Sequence, residues 1–393
     1  MSETQKHTKP NVPNLRFPRF EGEWERIRVS DLLVFFSTNS LSWEQLEYGG
    51  KEILNLHYGL IHNGLPTQIN LEECTLPSVK PDCKPQKYTL CKDGDVAFAD
   101  ASEDTNDVGK VVEFTNCADR EIVCGLHTIH GRDKLGKTVP GFKGYAFSSS
   151  AFHNQIRRIA QGTKIFSINT GNFEESFISI PIKEEQNKIA SLLSLIDQRI
   201  AIQNKVIEDL KKLKTALCEK FLVQISNSPL AELGKHCSIT TGKLDANAMS
   251  ESGKYMFFTC AKENYRTDTY AFEGDALLIS GNGELGLCKY YSGKFNAYQR
   301  TYVLQNFDMD IQFAKLMIDS FLPRKIYREK NAGAMPYIVL STLSELQIPV
   351  PDCEIQTHIS TVLSTFANKI ELEECVLTKL ILMKNHILSQ MFI

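Results

Sequence analysis

Two stretches of the chain carry an apolar residue at every third or fourth position. The first runs Ile189, Leu193, Ile196, Ile200, Ile207, Leu210, Leu217, Phe221. The second runs Ile359, Leu363, Phe366, Ile370, Leu377, Leu380, Ile387, Met391. Steps of three and four keep these side chains on one side of an α-helix, and a seam sustained for so many turns predicts a coiled coil. The stretches are copies of one another. Gln186-Asn187-Lys188-Ile189 aligns with Gln356-Thr357-His358-Ile359 at an offset of 170, and the offset holds without a gap to Val223 and Ile393. Polar residues break both seams at matching places, Gln203 with Glu373 and Lys214 with Lys384. Each copy is approached through an Ile-Pro pair, Ile180-Pro181 and Ile348-Pro349. Proline just before a helical run is a start signal, because it cannot donate inside the helix.

The segments between and before the helices read as strand. Short β-branched and aromatic runs such as Asp95-Val96-Ala97-Phe98 and Thr301-Tyr302-Val303-Leu304 are separated by Gly, Asn, Asp and Pro. The predicted fold is therefore α+β: two strand-rich domains alternating with two long helices in a pseudo-twofold internal repeat. The layout is a polar tail over 1–14, a strand-rich domain over 15–180, a helix over 181–225, a second strand-rich domain over 226–348 and a helix over 349–393. If the helices pair antiparallel about the midpoint of their polar breaks, Lys214 faces Glu373 and Gln203 faces Lys384. Polar seam residues fix register at a cost in stability. The alternative is that each helix packs on its own domain as ordinary core.

Composition changes the picture in three ways. The 393 residues suit two or three domains, and 42% hydrophobic with 23% charged residues is ordinary for a globular protein. A formal net charge of -3 gives no global positive field, so any surface for a polyanion must be gathered locally. No apolar run approaches the ~20 residues needed to span a bilayer, and the opening residues lack the apolar core of a signal peptide. The 11 cysteines form no C-x-x-C pair and none stands at zinc-finger spacing with histidine. Reduced thiols in a cytoplasm, and no metal, are the expectation.

Catalytic motifs fail on inspection. Gly131-Arg132-Asp133-Lys134-Leu135-Gly136-Lys137-Thr138 fits the phosphate-loop pattern, but Val139-Pro140-Gly141-Phe142-Lys143-Gly144 follows and is expected to prevent the helix that such a loop requires. His127 and His130 lack the glutamate of HExxH. There is no GxSxG elbow, no dinucleotide fingerprint and no Asn-Pro-Pro-aromatic methyltransferase loop. No catalytic residue and no cofactor is expected on this chain.

Local charge is present. Arg132, Lys134, Lys137, Lys143, Arg157, Arg158 and Lys164 are accompanied by a single acid, Asp133. In the second domain Lys289, Lys294 and Arg300 lie among Tyr290, Tyr291 and Tyr298, and Arg324, Lys325, Arg328 and Lys330 follow with Glu329. Cations suit phosphates, while amides and guanidinium groups suit base edges, with Gln299 and Arg300 placed for adenine and guanine.

Several segments resemble the specificity (S) subunits of type I restriction–modification systems. They are the opening Pro13-Asn14-Leu15-Arg16-Phe17-Pro18-Arg19-Phe20-Glu21-Gly22-Glu23-Trp24-Glu25, the run Gly94 to Asp104 with Gly125-Leu126-His127-Thr128-Ile129, and Gly274 to Gly286 with Phe295 to Leu304. The two proline-led, Gln-containing helices are similar to the family's central and distal conserved regions. One departure is Ile355-Gln356, where the family has Glu-Gln. The resemblance implies a non-catalytic DNA reader whose two target recognition domains each bind one half of a split double-stranded site. The helices would act as an antiparallel spacer and docking site for two modification subunits. Those subunits would bring S-adenosylmethionine and methylate adenine, and restriction subunits would supply the ATP-dependent nuclease. The expected DNA-binding residues are Ser102, His127, Thr128, Arg132, Lys134, Lys137 and Lys143 in the first domain, and Asn282, Tyr298, Gln299 and Arg300 in the second. The rival reading is a non-enzymatic coiled-coil adaptor whose β-rich modules bind protein.

Overall fold

A computed structural model describes residues 11–50, 52–72, 74–117, 120–329 and 337–393. The fold is α+β, with two long helices, Lys183–Gln224 and Cys353–Gln390. At 1.5 Å per residue the first is about 60 Å long. The chain divides into two compact units, residues 1–204 with 375–393 and residues 205–374, so that each unit takes a part of both helices.

The first unit is built on a five-stranded sheet in the order Leu33–Phe36, Thr128–Asp133, Val96–Ala99, Val111–Thr115, Gln68–Asn70. Side chains on a strand alternate between faces. Val96 and Phe98 accordingly join one core with Trp24, Leu33, Ile129 and the helical residues Ile189 and Leu193. Ala97 and Ala99 join a second core with Leu56, Val112 and Phe114. Both faces are covered, which is why Val-Ala-Phe-Ala is an unbroken apolar run. A further four-stranded sheet includes Leu54–Leu56 running parallel to Ile122–Cys124.

The second unit holds a six-stranded sheet in the order Ser238–Thr241, Thr301–Gln305, Phe272–Ser280, Cys288–Ala297, Tyr255–Phe258, Tyr265–Thr267. Leu277 and Ile279 pack on one face with Phe313, Met317 and Leu322 of the helix Ile311–Glu329. Ala276 and Leu278 point to the other face with Phe258 and Phe295.

Both units use the same device at the root of a long helix. In the first, Glu25–Arg28 pairs antiparallel with Phe177–Ile180, directly before the helix. In the second, Leu230–Glu232 pairs antiparallel with Gln347–Pro349. Gln186 donates to the Pro181 carbonyl at 2.8 Å and accepts from the Val139 N–H at 2.9 Å. Gln356 donates to the Pro351 carbonyl at 2.9 Å and accepts from the Asp310 N–H at 3.2 Å. These bonds make Pro351, not Pro349, the counterpart of Pro181. Pro349 instead occupies the last position of the strand, opposite Leu230. The Ile355 departure also has a local reason. Glu185 is a buried partner of Arg16, whereas Ile355 packs on the apolar core of its own unit.

The helices run antiparallel within each unit. In the first, Lys384 Nζ lies 2.6 Å from Asp197, and Ile387 and Met391 share a core with Ile189 and Leu193. In the second, Lys211 bonds Glu374 at 2.6 Å and the Phe221 ring meets His358 edge-on. The expected pairing of the polar breaks is corrected by these contacts. Lys384 takes Asp197 rather than Gln203, Lys211 rather than Lys214 reaches across to Glu374, and Glu373 bonds Lys369 one turn away. Bulky seam residues decide the register. Ile189, Leu193, Ile196, Ile359 and Ile370 are buried, with Ile200 and Leu363 partly so. Asp197 also accepts from the Tyr145 hydroxyl at 2.9 Å. Asp197→Lys should therefore cost about 2 kcal/mol, between the values for exposed and buried pairs. Adding Lys384→Asp should recover part of it, while Tyr145 stays without its acceptor. Urea denaturation of the single and double variants measures this coupling, and purely additive losses would contradict it.

Candidate nucleic-acid interface

In the first unit the exposed polar groups gather around the turn that follows Ile122–Cys124. His127 is held there with φ 55, and its carbonyl accepts from the Asp100 N–H at 3.1 Å. Its ring Nδ1 lies 3.1 Å from Asp100 Oδ1, and half of the ring is exposed. Burial pushes the Asp100 carboxyl up, against the pull of His127. The Tyr58 ring meets His127 edge-on at 5.1 Å, His57 lies 4.8 Å from Tyr58, and Trp43 lies 4.5 Å from His57. Burial, then the charge of His127, holds His57 below the ordinary imidazole range. Ser102 is half-buried, and its hydroxyl accepts from the Asp104 N–H at 3.1 Å, fixing the adjacent polar loop. His57 is itself buried, so the surface consists of exposed Trp43, half-buried Tyr58 and the imidazole–carboxylate pair, groups able to pack on a sugar or base and to bond a base edge.

Trp43, His57, Tyr58 and Asp100 were not among the expected residues. Polar neighbours gave no signal: Trp43 stands in Ser42-Trp43-Glu44 and is exposed, whereas Trp24 stands between Glu23 and Glu25 and is buried.

Three of the expected contacts are corrected. Thr128 is buried, and its hydroxyl donates to the Gly125 carbonyl at 2.5 Å. Arg132 grips Asp95 through Nε at 2.8 Å and Nη2 at 2.7 Å, with its guanidinium over the Phe36 ring. Lys143 is 2% exposed and faces Glu113. Lys134 and Lys137 do reach the surface. Lys134 donates to the Ser30 carbonyl at 2.7 Å, and Lys137 bonds Glu25. The phosphate-loop string is the end of a strand and a turn, in which Thr138 donates both its N–H and its hydroxyl to Asp133 Oδ2. Contrary to expectation a short helix, Phe142–Phe147, does follow, opened by Gly141 at φ 85. All six of its residues are buried, because the helix is part of the core.

In the second unit Tyr298, Gln299 and Arg300 form the turn between Cys288–Ala297 and Thr301–Gln305. The Thr301 N–H closes the turn on the Tyr298 carbonyl at 2.8 Å, and the Gly281 N–H bonds the Arg300 carbonyl at 2.9 Å. Tyr298 is half-buried, while Gln299 and Arg300 are exposed. They border an open cleft of about 510 Å³, which Gly281, Tyr302 and Tyr337 also line. Asn282, half-buried, follows Gly281. Other cations of the expected cluster serve the fold. Lys289 donates to the Ala261 and Lys262 carbonyls at 2.9 and 2.7 Å, and Lys294 lies 3.8 Å from Glu273. Lys330 lies outside the described residues. The second surface is thus an exposed amide and guanidinium on a tight turn beside an aromatic cleft.

The model of the type I restriction modification DNA specificity domain family matches residues 126–212 and 225–381, more than half of the chain. The specificity subunit of the type I restriction enzyme EcoDI of Escherichia coli is 36% identical over 140 residues, which is 36% of this chain and 31% of that protein. The chain thus spans less than a third of that relative's length. A putative type I specificity subunit of Mycoplasma genitalium is 24% identical over 311 residues, covering 72% of this chain and 79% of its own. Among solved structures, the S subunit of a type I restriction–modification system from M. genitalium superposes with a TM-score of 0.65 at 19% identity, over 97% of this chain and 99% of that one. A chain from a structure of type I restriction–modification complex assembly gives 0.56 at 15% identity, over 93% and 96%. With more than half of its length matched and the same fold throughout, the chain belongs to the type I restriction modification DNA specificity family.

Proposed function

We propose that the chain is the sequence-reading subunit of a type I restriction–modification complex, each strand-rich domain reading one half of a bipartite double-stranded site. The observation that carries this reading is the duplicated root. The same antiparallel strand pair and the same buried glutamine hold two domains whose exposed surfaces differ, His127 with Asp100 and Tyr58 in one, Gln299 with Arg300 in the other. One chain carrying two unlike readers suits an asymmetric, divided site. The family match supports this reading over a coiled-coil adaptor.

The chain itself is non-catalytic in this reading. S-adenosylmethionine arrives on two modification subunits and ATP on restriction subunits, in the cytoplasm. Exposed Leu195 and Ile202 on the first long helix, and Leu372 and Leu382 on the second, offer apolar surface for docking such subunits. Among the described residues no helix is long and apolar enough to cross a membrane.

The test is methylation-sensitive sequencing of a host that carries the chain with its neighbouring modification subunit. One bipartite motif methylated on adenine is expected; methylation without a divided motif would overturn the reading. Arg300→Ala should relax one half of the motif and His127→Ala the other, each discriminating contact being worth ~1–3 kcal/mol. Methylation patterns unchanged in both variants would remove these residues from base reading.

A further inference from the structure

Behind the His127 turn lies a group of side chains that the proposed reading does not use. Cys91, Cys124 and His130 are all buried, and their ligand atoms lie within 4.8 Å of one another. The two sulfurs are 3.6 Å apart. His130 Nε2 lies 2.8 Å from Asp95 Oδ2, while the other ring nitrogen, Nδ1, is buried and, among the described residues, makes no hydrogen bond of good geometry, although the ring interacts with the Cys91 thiol. An unpaired ring nitrogen in an apolar interior costs free energy unless something takes its lone pair.

We propose that Cys91 Sγ, Cys124 Sγ and His130 Nδ1 bind a zinc ion. Two thiolates and an imidazole are a donor set suited to zinc, which has no strict geometric demand of its own. Two sulfurs bound at about 2.3 Å in a tetrahedral site lie roughly 3.8 Å apart, close to the separation seen here. Zinc-bound histidines donate their second ring N–H to a carboxylate, the part Asp95 plays. Asp95 is in turn fixed by Arg132 at 2.7 Å and by the Lys92 N–H at 2.9 Å. On binding, each thiol gives up its proton to solvent and the imidazole binds in its neutral form. A disulfide between Cys91 and Cys124 is the competing chemistry, but it would leave His130 Nδ1 unpartnered.

The donors sit on rigid elements. Cys124 ends the strand Ile122–Cys124, His130 belongs to Thr128–Asp133, and the Cys91 N–H bonds the Ile122 carbonyl at 2.9 Å. Cys124 and His130 also bracket residues 125–129, so the ion closes the base of the turn that presents His127. The sequence concealed this because Cys91 stands far upstream, at no recognised ligand spacing. The proposal departs from the expectation that the chain binds no metal.

The test uses the full chain, purified under reducing conditions and supplied with zinc alone or cobalt alone. One zinc per chain by elemental mass spectrometry is expected, with a thiolate-to-cobalt charge-transfer band in the cobalt form. Both should be lost in Cys91→Ser and in Cys124→Ser. The proposal is overturned by no stoichiometric zinc, by retention of zinc in the double serine variant, or by a Cys91–Cys124 disulfide found by peptide mapping of the unreduced chain. If the serine variants do not fold, the unaltered chain decides. A missing charge-transfer band, or a melting temperature unmoved by a zinc chelator, sinks the proposal. None of these measurements involves DNA, so failure here is distinct from failure of the reading above.

Discussion

Lys143→Ala is expected to destabilise the protein by about 3–5 kcal/mol, the cost of removing one partner from a buried ion pair. Lys143 Nζ lies 3.5 Å from Glu113 Oε1 and donates to the Thr138 hydroxyl at 2.9 Å. The Glu113 carboxylate also accepts from the Gly141 N–H at 2.9 Å and the Gly144 N–H at 2.7 Å. These two donors, with Gln68 Nε2 at 3.3 Å, orient it but do not cancel its charge when the lysine is gone. Burial already pushes the Glu113 carboxyl up, against the opposing pull of Lys143. Removing the ammonium raises it further, so the variant's folded state holds a proton that the unfolded chain releases more readily. A carboxyl raised on folding contributes stability that is present at low pH and lost as pH rises through its folded value. The deficit should therefore shrink on acidification from neutral pH toward ~5. Glu113→Gln in a Lys143→Met background should recover part of it. Denaturant titrations at several pH values provide the measurement. A loss under ~1 kcal/mol would mean that Lys143 is solvated, as the sequence had implied.

A loss of similar size is expected from Arg16→Ala. Arg16 meets Glu185 through two parallel bonds, Nε to Oε1 and Nη2 to Oε2, both at 2.8 Å. Glu185 is fully buried in the first turn of the first long helix, where the helix dipole favours its charge. The remaining Arg16 donors reach the Gly22 and Glu21 carbonyls at 2.6 and 3.1 Å. One guanidinium thus ties the N-terminal segment to the root of the helix. Arg16→Lys should not restore the loss, because an ammonium cannot make the paired bonds. The loss, about 3–5 kcal/mol, should appear in thermal and denaturant unfolding alike. Full retention of stability in Arg16→Lys would show that charge alone suffices.

Periodicity and repetition made the long helices legible, since both are local properties of the chain. The seam residues Ile189, Leu193 and Ile359 are buried as their spacing required. The α+β class followed from the short strand runs between them. The candidate site was less legible, because a basic residue looks the same in sequence whether it meets water or a buried acid. Arg132 and Lys143 were read as surface charge since Asp95 and Glu113 stand some thirty or more residues earlier in the chain. Only the pairing of Thr128–Asp133 with Val96–Ala99, and of that strand with Val111–Thr115, brings those acids beneath them. The register of the helices was missed for a related reason. Matching the polar breaks ignored Asp197, which lies off the seam but bonds Tyr145 and Lys384 together.

Among the described residues, Gln186 and Gln356 hydrogen-bond only to main-chain atoms: the carbonyls of Pro181 and Pro351, the N–H groups of Val139 and Asp310, and for Gln186 also the Lys137 carbonyl at 3.0 Å. A fastening that asks only for a carbonyl and an amide in the right place is blind to the side chains of what it fastens. Substitutions on either reading surface leave it untouched, so each surface is free to drift toward new sequences without loosening its seat. Change in what is read and constancy in how the reader is held are thereby separated within a single polypeptide.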